Sequence, residues 1–190
     1  MEYQNILAFT TRHEFRKWLE ENSSVESECY LYLTRGKPVD NEHFWYLDAV
    51  EEALCFGWID STIRIISGKA MQRFSPRRAA SDWTELNKER VRRLEKLGLM
   101  TEAGRAVLPP MGQKSFKPDK EVVTALKAAR VWSRFRIFHP LYQRIRLSNL
   151  AFCKVRHPSS YARMLSHVIE ETRKGRMYGS WNDYGRLLDY

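Results

Sequence analysis

The spacing of apolar residues along the chain switches between helical and strand-like periods, which predicts an α+β fold. Thr11 and Glu14 form a capping-box pattern that opens a short amphipathic helix. A second helix is predicted to end at Gly57, with the carboxylates of Glu51 and Glu52 on its solvated face. Both helices lie in the first third of the chain, where the strand-like segments also begin.

Three segments have the composition of strands and predict a small antiparallel sheet packed against helices, at 29–33, 58–66 and 70–75. Ser67 and Gly68 supply a two-residue turn that joins the last two as a hairpin. That register puts Asp60 diagonal to Arg73, within reach of a cross-strand ion pair. The predicted core face carries Ile59, Ile63, Ile65 and Phe74. The predicted opposite face carries Trp58, Asp60, Thr62, Arg64, Met71 and Arg73. A one-residue slip would exchange the faces, so the ion pair depends on the register.

The second half of the chain follows helical spacing and is separated from the first by a proline-containing stretch. We therefore predict an α+β domain at 1–108, a linker at 109–118 and a basic helical region at 119–190 packed on the first domain. The aromatic tail at 177–185 has the composition of a segment that docks onto a folded body rather than a disordered end.

Charge is distributed unevenly along the chain, whose formal net charge is +9. Residues 112–176 contain fifteen basic and four acidic side chains, which favours an acidic partner such as nucleic acid, an anionic membrane surface or an acidic protein. Aromatic residues alternate with these cations, as they do in proteins that stack nucleic-acid bases. Core packing explains the same helical spacing, so nucleic-acid binding is kept here as the alternative interpretation.

Targeting signals and cysteine usage both favour a cytoplasmic protein. The first residues lack the basic and apolar regions of a secretory signal, and no apolar run is long enough to span a bilayer. Cys29, Cys55 and Cys153 are odd in number and widely spaced, which indicates reduced thiols rather than disulfides or a zinc site. We interpret Cys55 as a core residue and expect no metal and no cofactor.

Charged and aromatic groups are concentrated in the segments 51–61, 73–78 and 81–87, which makes this block the candidate site. Its arginines suit a phosphate or carboxylate, a helix starting at Trp83 adds free N–H groups, and tryptophans can stack on a planar ring. The predicted ligand-binding residues are Trp58, Asp60, Arg73, Arg77, Arg78, Ser81, Trp83 and Asn87. Purely structural roles remain open, with Asp60 paired to Arg73, the tryptophans in the core and Ser81 as a helix cap.

An enzyme is the second hypothesis for this block. Asp60 or Glu52 would act as general acid or base, and the arginines would stabilise developing negative charge. The sequence offers no nucleophile–base pair, glycine-rich phosphate loop or metalloprotease motif. The reaction therefore stays unassigned, and Asp60 is the candidate catalytic residue.

Longer motifs in this region carry a family resemblance. They are Glu52-Ala53-Leu54-Cys55-Phe56-Gly57-Trp58-Ile59-Asp60, Arg73-Phe74-Ser75-Pro76-Arg77-Arg78, Ser81-x-Trp83, Asn87 and Gly98-Leu99-Met100-Thr101-x-Ala103-Gly104. Over residues 44–108 the chain closely resembles the YdeI/OmpD-associated family, also called bacteriocin-protection proteins, and before residue 44 it does so more loosely. The resemblance implies a cytoplasmic bacterial protein linked to envelope stress or bacteriocin tolerance. It brings no established catalytic residues to this chain.

Overall fold

Two compact units make up the computed structural model, which describes residues 3–78 and 81–190. The first unit contains the chain up to Ser81 together with Arg90–Pro109, and the second contains Asp82–Glu89 together with Pro110–Tyr190. The chain therefore passes between units at Pro109 and Pro110, where the predicted linker begins. The short segment Asp82–Glu89, which the sequence places in the first domain, belongs to the second unit.

The N-terminal half contains both strands and helices, in the order β1 (Ile6–Leu7), α1 (Arg12–Asn22), β2 (Cys29–Leu31), α2 (Tyr46–Cys55), β3 (Trp58–Ile66), β4 (Lys69–Pro76), α3 (Glu85–Lys96) and α4 (Glu102–Ala106). The C-terminal half is helical, as predicted, with α5 (Lys120–Ala128), α6 (Trp132–Phe135), α7 (Pro140–Arg156) and α8 (Pro158–Arg173). Short 3₁₀ turns lie at Gln113–Ser115 and Asp183–Gly185. The α+β class is thus confirmed.

The sheet of the first unit has four strands in the order β1-β2-β4-β3. The prediction of about three antiparallel strands is therefore wrong in number, and the sheet is mixed because β1 runs parallel to β2. Ile6 and Leu7 form a strand of only two residues, which is too short to show an alternating pattern. Gly57 ends α2 with a φ of 74°, as the sequence predicts.

The hairpin forms at the predicted turn, because Ser67 and Gly68 both adopt positive φ, at 49° and 76°. Ile65 pairs with Ala70 as expected, but the register shifts between Asp60 and Ile63. Beyond this bulge, Asp60 pairs with Phe74. Paired residues share a face and neighbours along a strand alternate, so Asp60 lies on the face of Phe74 and Arg73 lies on the other. The predicted Asp60–Arg73 ion pair does not form for this reason.

The bulge also changes which side chains reach the core. Phe74 is fully buried, as predicted, but Ile63 and Ile65, which were assigned to the core, are 52% and 69% exposed. Trp58, assigned to the opposite face, is only 1% exposed. Before the bulge β3 therefore buries Trp58, and in its second half Ile66 is the buried isoleucine, packed with Tyr30 and Met71.

A buried ionic network lies beside this sheet, contrary to the prediction of a solvated helix face. Glu51 is 0% exposed and accepts a 2.8 Å hydrogen bond from Arg93 of α3. Glu52 is likewise buried and accepts hydrogen bonds from Arg12 at 2.8 Å and Arg16 at 3.0 Å, both on α1. Arginines from two other helices thus neutralise the acidic side of α2.

Helix α3 begins later than the sequence predicts. The predicted first residue is Trp83 with Ser81 as the cap, but the helix starts at Glu85. The hydroxyl of Thr84 accepts the backbone N–H of Asn87 at 3.3 Å, which is the capping contact. Thr84 takes this position because its hydroxyl reaches the backbone N–H three residues further on.

The core of the second unit joins its helices to the C-terminal tail. Its members include Phe135, Tyr142, Ile145, Leu150, Val168, Trp181 and Leu187. Because Trp181 and Leu187 are buried, the prediction that the tail docks onto the body is confirmed. Glu171, near the end of α8, accepts hydrogen bonds from Arg176, and these bonds lower the pKa of its carboxyl to about 2. This contact ties the start of the tail to the helix.

Candidate functional site

Asp60 and Tyr46 form the centre of the candidate site on the first unit. The hydroxyl of Tyr46, the first residue of α2, donates a 2.6 Å hydrogen bond to the Asp60 carboxylate. Asp60 is half-buried on β3, and the bulge described above turns it toward this helix. The contact therefore depends on the irregular register of the hairpin.

Arg35 and Gln72 extend the site from the loop after β2 and from β4. The Arg35 guanidinium lies 4.0 Å from the centroid of the Tyr46 ring and donates a 2.6 Å hydrogen bond to the Gln72 side-chain oxygen. The amide nitrogen of Gln72 donates in turn to the Ser61 carbonyl at 3.0 Å. Arg35 is held in place by two neutral groups, a ring and an amide.

Arg77 provides a second guanidinium at the same site. Its backbone N–H donates to the Gly57 carbonyl at 2.8 Å, and its side chain donates to the Ser81 hydroxyl at 3.1 Å. The residue is only 7% exposed, and burial lowers the pKa of its guanidinium to about 10, against the opposing attraction of Asp60. We call Arg35, Tyr46, Asp60, Gln72, Arg77 and Ser81 the Arg77 cluster.

The electrostatics of the cluster define the protonation state of its tyrosine. Burial and the adjacent charge of Asp60 both raise the pKa of Tyr46, and the positive charges of Arg90 and Arg35 only partly oppose them. The hydroxyl of Tyr46 therefore stays protonated at neutral pH and acts as a hydrogen-bond donor. Asp60 is the acceptor in this pair.

Three of the eight predicted site residues, Asp60, Arg77 and Ser81, belong to the Arg77 cluster. Arg73 does not, since it lies on the other face of the sheet and forms a 2.6 Å ion pair with Glu28. Trp58 is buried, and its indole N–H donates to the Ser23 carbonyl at 3.1 Å, so it packs as a core residue and presents no open ring face.

The remaining predicted residues lie elsewhere. Arg78 follows Arg77 directly but is exposed. Trp83 and Asn87 belong to the second unit. There Trp83 lines a cavity of about 300 Å³ together with Phe116 and Phe152, and the backbone of Asn87 takes part in the cap of α3.

Sequence reasoning missed Arg35, Tyr46 and Gln72. Tyr46 carries a usable signal, because it is the first residue of a helix whose apolar face is clear from the sequence. Arg35 and Gln72 show none, since an arginine before a glycine and a glutamine in a strand are ordinary surface residues. Only the fold brings their side chains together.

Other common chemistries find little support in the part of the chain that the structure describes. Residues 3–78 and 81–190 contain no group of three or more His, Cys, Asp or Glu side chains able to hold a metal ion. Cys29, Cys55 and Cys153 are free and buried. Burial raises the pKa of the Cys55 thiol to about 12, so it is not a reactive thiolate at neutral pH.

The fold and the Arg77 cluster describe an α+β protein with a partly buried polar site that contains two arginines. The chain belongs to the family described as Domain of unknown function (DUF8412), which matches residues 7–107. This range includes every residue of the Arg77 cluster. Neither a curated protein nor a solved structure matches the chain. None of the helices in the described ranges has the length and apolar character needed to cross a membrane.

Proposed function

We propose that the chain binds a small anionic molecule, a phosphate or a carboxylate, at the Arg77 cluster. The proposal is carried by Arg77, a residue that is 7% exposed and whose pKa is lowered even though Asp60 is nearby. A buried cation is stable only when opposite charge compensates for its lost hydration. At Arg77 the effect of burial outweighs the attraction of Asp60, so a bound anion would stabilise the charged guanidinium further.

Arg35 supports the proposal from the other side of Tyr46. Among the residues that the structure describes, its contacts are with neutral groups, the Gln72 side chain and the Tyr46 ring. The planar guanidinium presents donors in a fork that matches a phosphate or carboxylate. The six residues of the cluster include two guanidinium groups and one carboxylate, an excess of positive charge among these side chains.

A thermal-shift experiment with phosphate, pyrophosphate, succinate and citrate tests the proposal. We expect at least one of these anions to raise the Tm of the wild type, by about 5 °C at a concentration near 100 Kd. Arg35→Gln and Arg77→Gln are expected to abolish most of this shift, because each removes a guanidinium from the site.

Arg78→Gln is the matched control, since Arg78 is the neighbour of Arg77 but is exposed. It removes the same charge and should retain the full shift. Arg35 is also exposed, so its variant is expected to fold normally even if Arg77→Gln does not. An equal shift in the wild type, Arg35→Gln and Arg78→Gln, or no shift with any of the anions, would contradict the proposal.

The biological setting that we propose follows from the resemblance to the YdeI/OmpD-associated, or bacteriocin-protection, family. That likeness supports a cytoplasmic bacterial protein that acts in envelope stress or bacteriocin tolerance. The reduced state of its three cysteines is consistent with a reducing compartment. The anion bound at the Arg77 cluster would then be a cytoplasmic metabolite.

Acid–base catalysis by Asp60 is a second candidate function, and the Tyr46 contact favours it. Asp60 is half-buried rather than enclosed, and it is not paired with Arg73. The protonated Tyr46 hydroxyl orients the Asp60 carboxylate, which makes Asp60 the base, while Arg77 would stabilise negative charge formed on a substrate. Glu52, the other predicted acid–base residue, is instead held by Arg12 and Arg16.

Incubating the protein with each stabilising anion and following the mixture by NMR separates catalysis from binding alone. If Asp60 is a catalytic base, the wild type converts the anion and Asp60→Asn does not. Asp60→Asn should still bind the anion, because the substitution removes a negative charge from beside Arg77. Absence of conversion by the wild type, or equal conversion by the variant, would exclude this role.

A further inference from the structure

A groove on the second unit combines an apolar surface with a rim of positive charge. Its volume is about 1010 Å³, at the upper end of the range for small-molecule sites. One face of α5 contributes Lys120, Val123, Thr124 and Lys127, which follow the i, i+3, i+4, i+7 spacing of a helix face. The opposite face of α5 is buried in the core through Val122 and Leu126.

Charge in the groove has one sign, since no aspartate or glutamate is among its lining residues. Lys120, Lys127 and Arg136 line it and, within the described part of the chain, have no carboxylate partner. Arg144, the fourth cation of the lining, pairs with Glu89 at 2.7 Å, so three of the four cations remain without a carboxylate among the described residues. The groove is therefore a site of uncompensated positive charge.

The spacing of Lys120 and Lys127 suits a ligand that carries more than one negative charge. Lys120 and Lys127 are seven residues apart on one helix, which places their backbones roughly 10 Å apart along its axis. The two ammonium groups are separate charges on flexible stems, and each can pair with its own carboxylate. A ligand with several negative charges spread over that length can neutralise the rim.

The apolar surface of the groove suits a peptide ligand better than a nucleic acid. Ile137 is 83% exposed at the groove, and Val123 and Leu147 also line it, although aliphatic groups do not stack on bases. Two of the aromatic rings in the lining already pack against core rings, Trp132 stacked on Phe135 at 6.0 Å and Phe138 edge-on to Tyr142 at 5.4 Å. Apolar side chains of an amphipathic segment would cover the aliphatic surface, while its carboxylates would meet the lysines.

We propose that this groove binds an acidic amphipathic segment of a partner protein. The apolar face of the segment covers Ile137 and Val123, and its Asp or Glu side chains pair with Lys120, Lys127 and Arg136. The site is separate from the Arg77 cluster and lies outside the part of the chain that the family description matches.

Fluorescence anisotropy with a labelled helical peptide of roughly 15 residues, Leu on one face and Glu on the other, tests the inference with the full chain. We expect saturable binding that weakens as salt rises from about 50 to about 200 mM. Lys120→Glu with Lys127→Glu should weaken binding by at least about tenfold, and Ile137→Ser should also weaken it. Both changes are at exposed positions, so folding is retained and is verified by circular dichroism.

The matched control is Lys17→Glu with Arg163→Glu, which changes the net charge equally at exposed positions outside the groove. This control should change the affinity for the peptide by less than about threefold, because charges outside the groove act on the peptide only at long range. The proposal is overturned if the peptide does not bind, or if replacing its Leu residues by Ser leaves the affinity unchanged. It is also overturned if both double variants lose affinity equally, or if a single-stranded oligonucleotide binds the groove more tightly than the peptide.

Discussion

Glu51→Gln is expected to destabilise the first unit by about 3–5 kcal/mol, the cost of breaking a buried ion pair by removing one partner. Glu51 is 0% exposed, and its carboxylate lies 2.8 Å from Arg93 and 3.6 Å from Arg12. Glutamine keeps the shape of the side chain but removes the charge that compensates these guanidinium groups. Urea unfolding followed by circular dichroism measures the loss.

The control for this prediction is Glu20→Gln, which removes an ion pair of the same chemical type from the surface. The Glu20 side chain is 54% exposed and lies 3.3 Å from Arg16 on the same helix, so we expect a loss below about 0.5 kcal/mol. Combining Glu51→Gln with Arg93→Met should cost less than the sum of the two single changes, because no unpaired charge then remains between them. A loss below about 1 kcal/mol for Glu51→Gln would show that the network is not a source of stability.

Gly104→Ala is expected to cost about 3 kcal/mol, because α4 packs with its backbone directly against the end of α2. A Cβ atom at Gly104 would lie 2.1 Å from the Cys55 carbonyl oxygen. That oxygen also accepts hydrogen bonds from the Thr101 hydroxyl at 2.6 Å and from the Thr101 backbone N–H at 3.1 Å. An added methyl group must therefore move α4 and break these bonds.

Gly112→Ala provides the comparison. Gly112 has no atom within 4 Å of its added Cβ, and its φ of −61° suits any residue. The free energy of unfolding of the Gly112→Ala variant should stay within about 0.5 kcal/mol of the wild type or rise slightly, because alanine restricts the unfolded chain. Equal unfolding midpoints for the two alanine variants would mean that the close approach of α4 to α2 is not maintained in solution.

Local features of the fold could be predicted from the sequence. Thr11 and Glu14 form the predicted capping box, and Ser67 and Gly68 form the predicted turn. Each of these signals lies within a few residues, where backbone geometry and a single side-chain hydrogen bond decide the outcome. Gly57 ends α2 for the same kind of reason.

Features that depend on distant residues could not be predicted. Glu51 and Glu52 follow the spacing of a solvated face, and their burial depends on Arg12, Arg16 and Arg93, about forty residues away in sequence. A carboxylate is buried only when such partners are present, and a helical pattern does not reveal them.

Only part of the candidate site could be predicted from the sequence. The bulge in β3 explains why Asp60 belongs to the Arg77 cluster and Arg73 does not. With regular pairing, Asp60 would face Arg73, but the shift before Ile63 places Asp60 beside Tyr46 and leaves Arg73 with Glu28. One inserted residue thus separates two charges that the alternating pattern puts together. Arg77, which the sequence also assigns to the charged block, follows the end of β4 directly, so the register shift in the hairpin does not move it.

Anion binding at the Arg77 cluster is most directly tested by NMR of the arginine Nε–H groups during titration with pyrophosphate, succinate and citrate. We expect the signals of Arg77 and Arg35 to shift together and to saturate, because both guanidinium groups contact the bound anion. The signals of Arg78 and Arg64, which are exposed, should shift little. Shifts confined to the exposed arginines, or an unchanged Arg77 signal with every anion, would contradict the account.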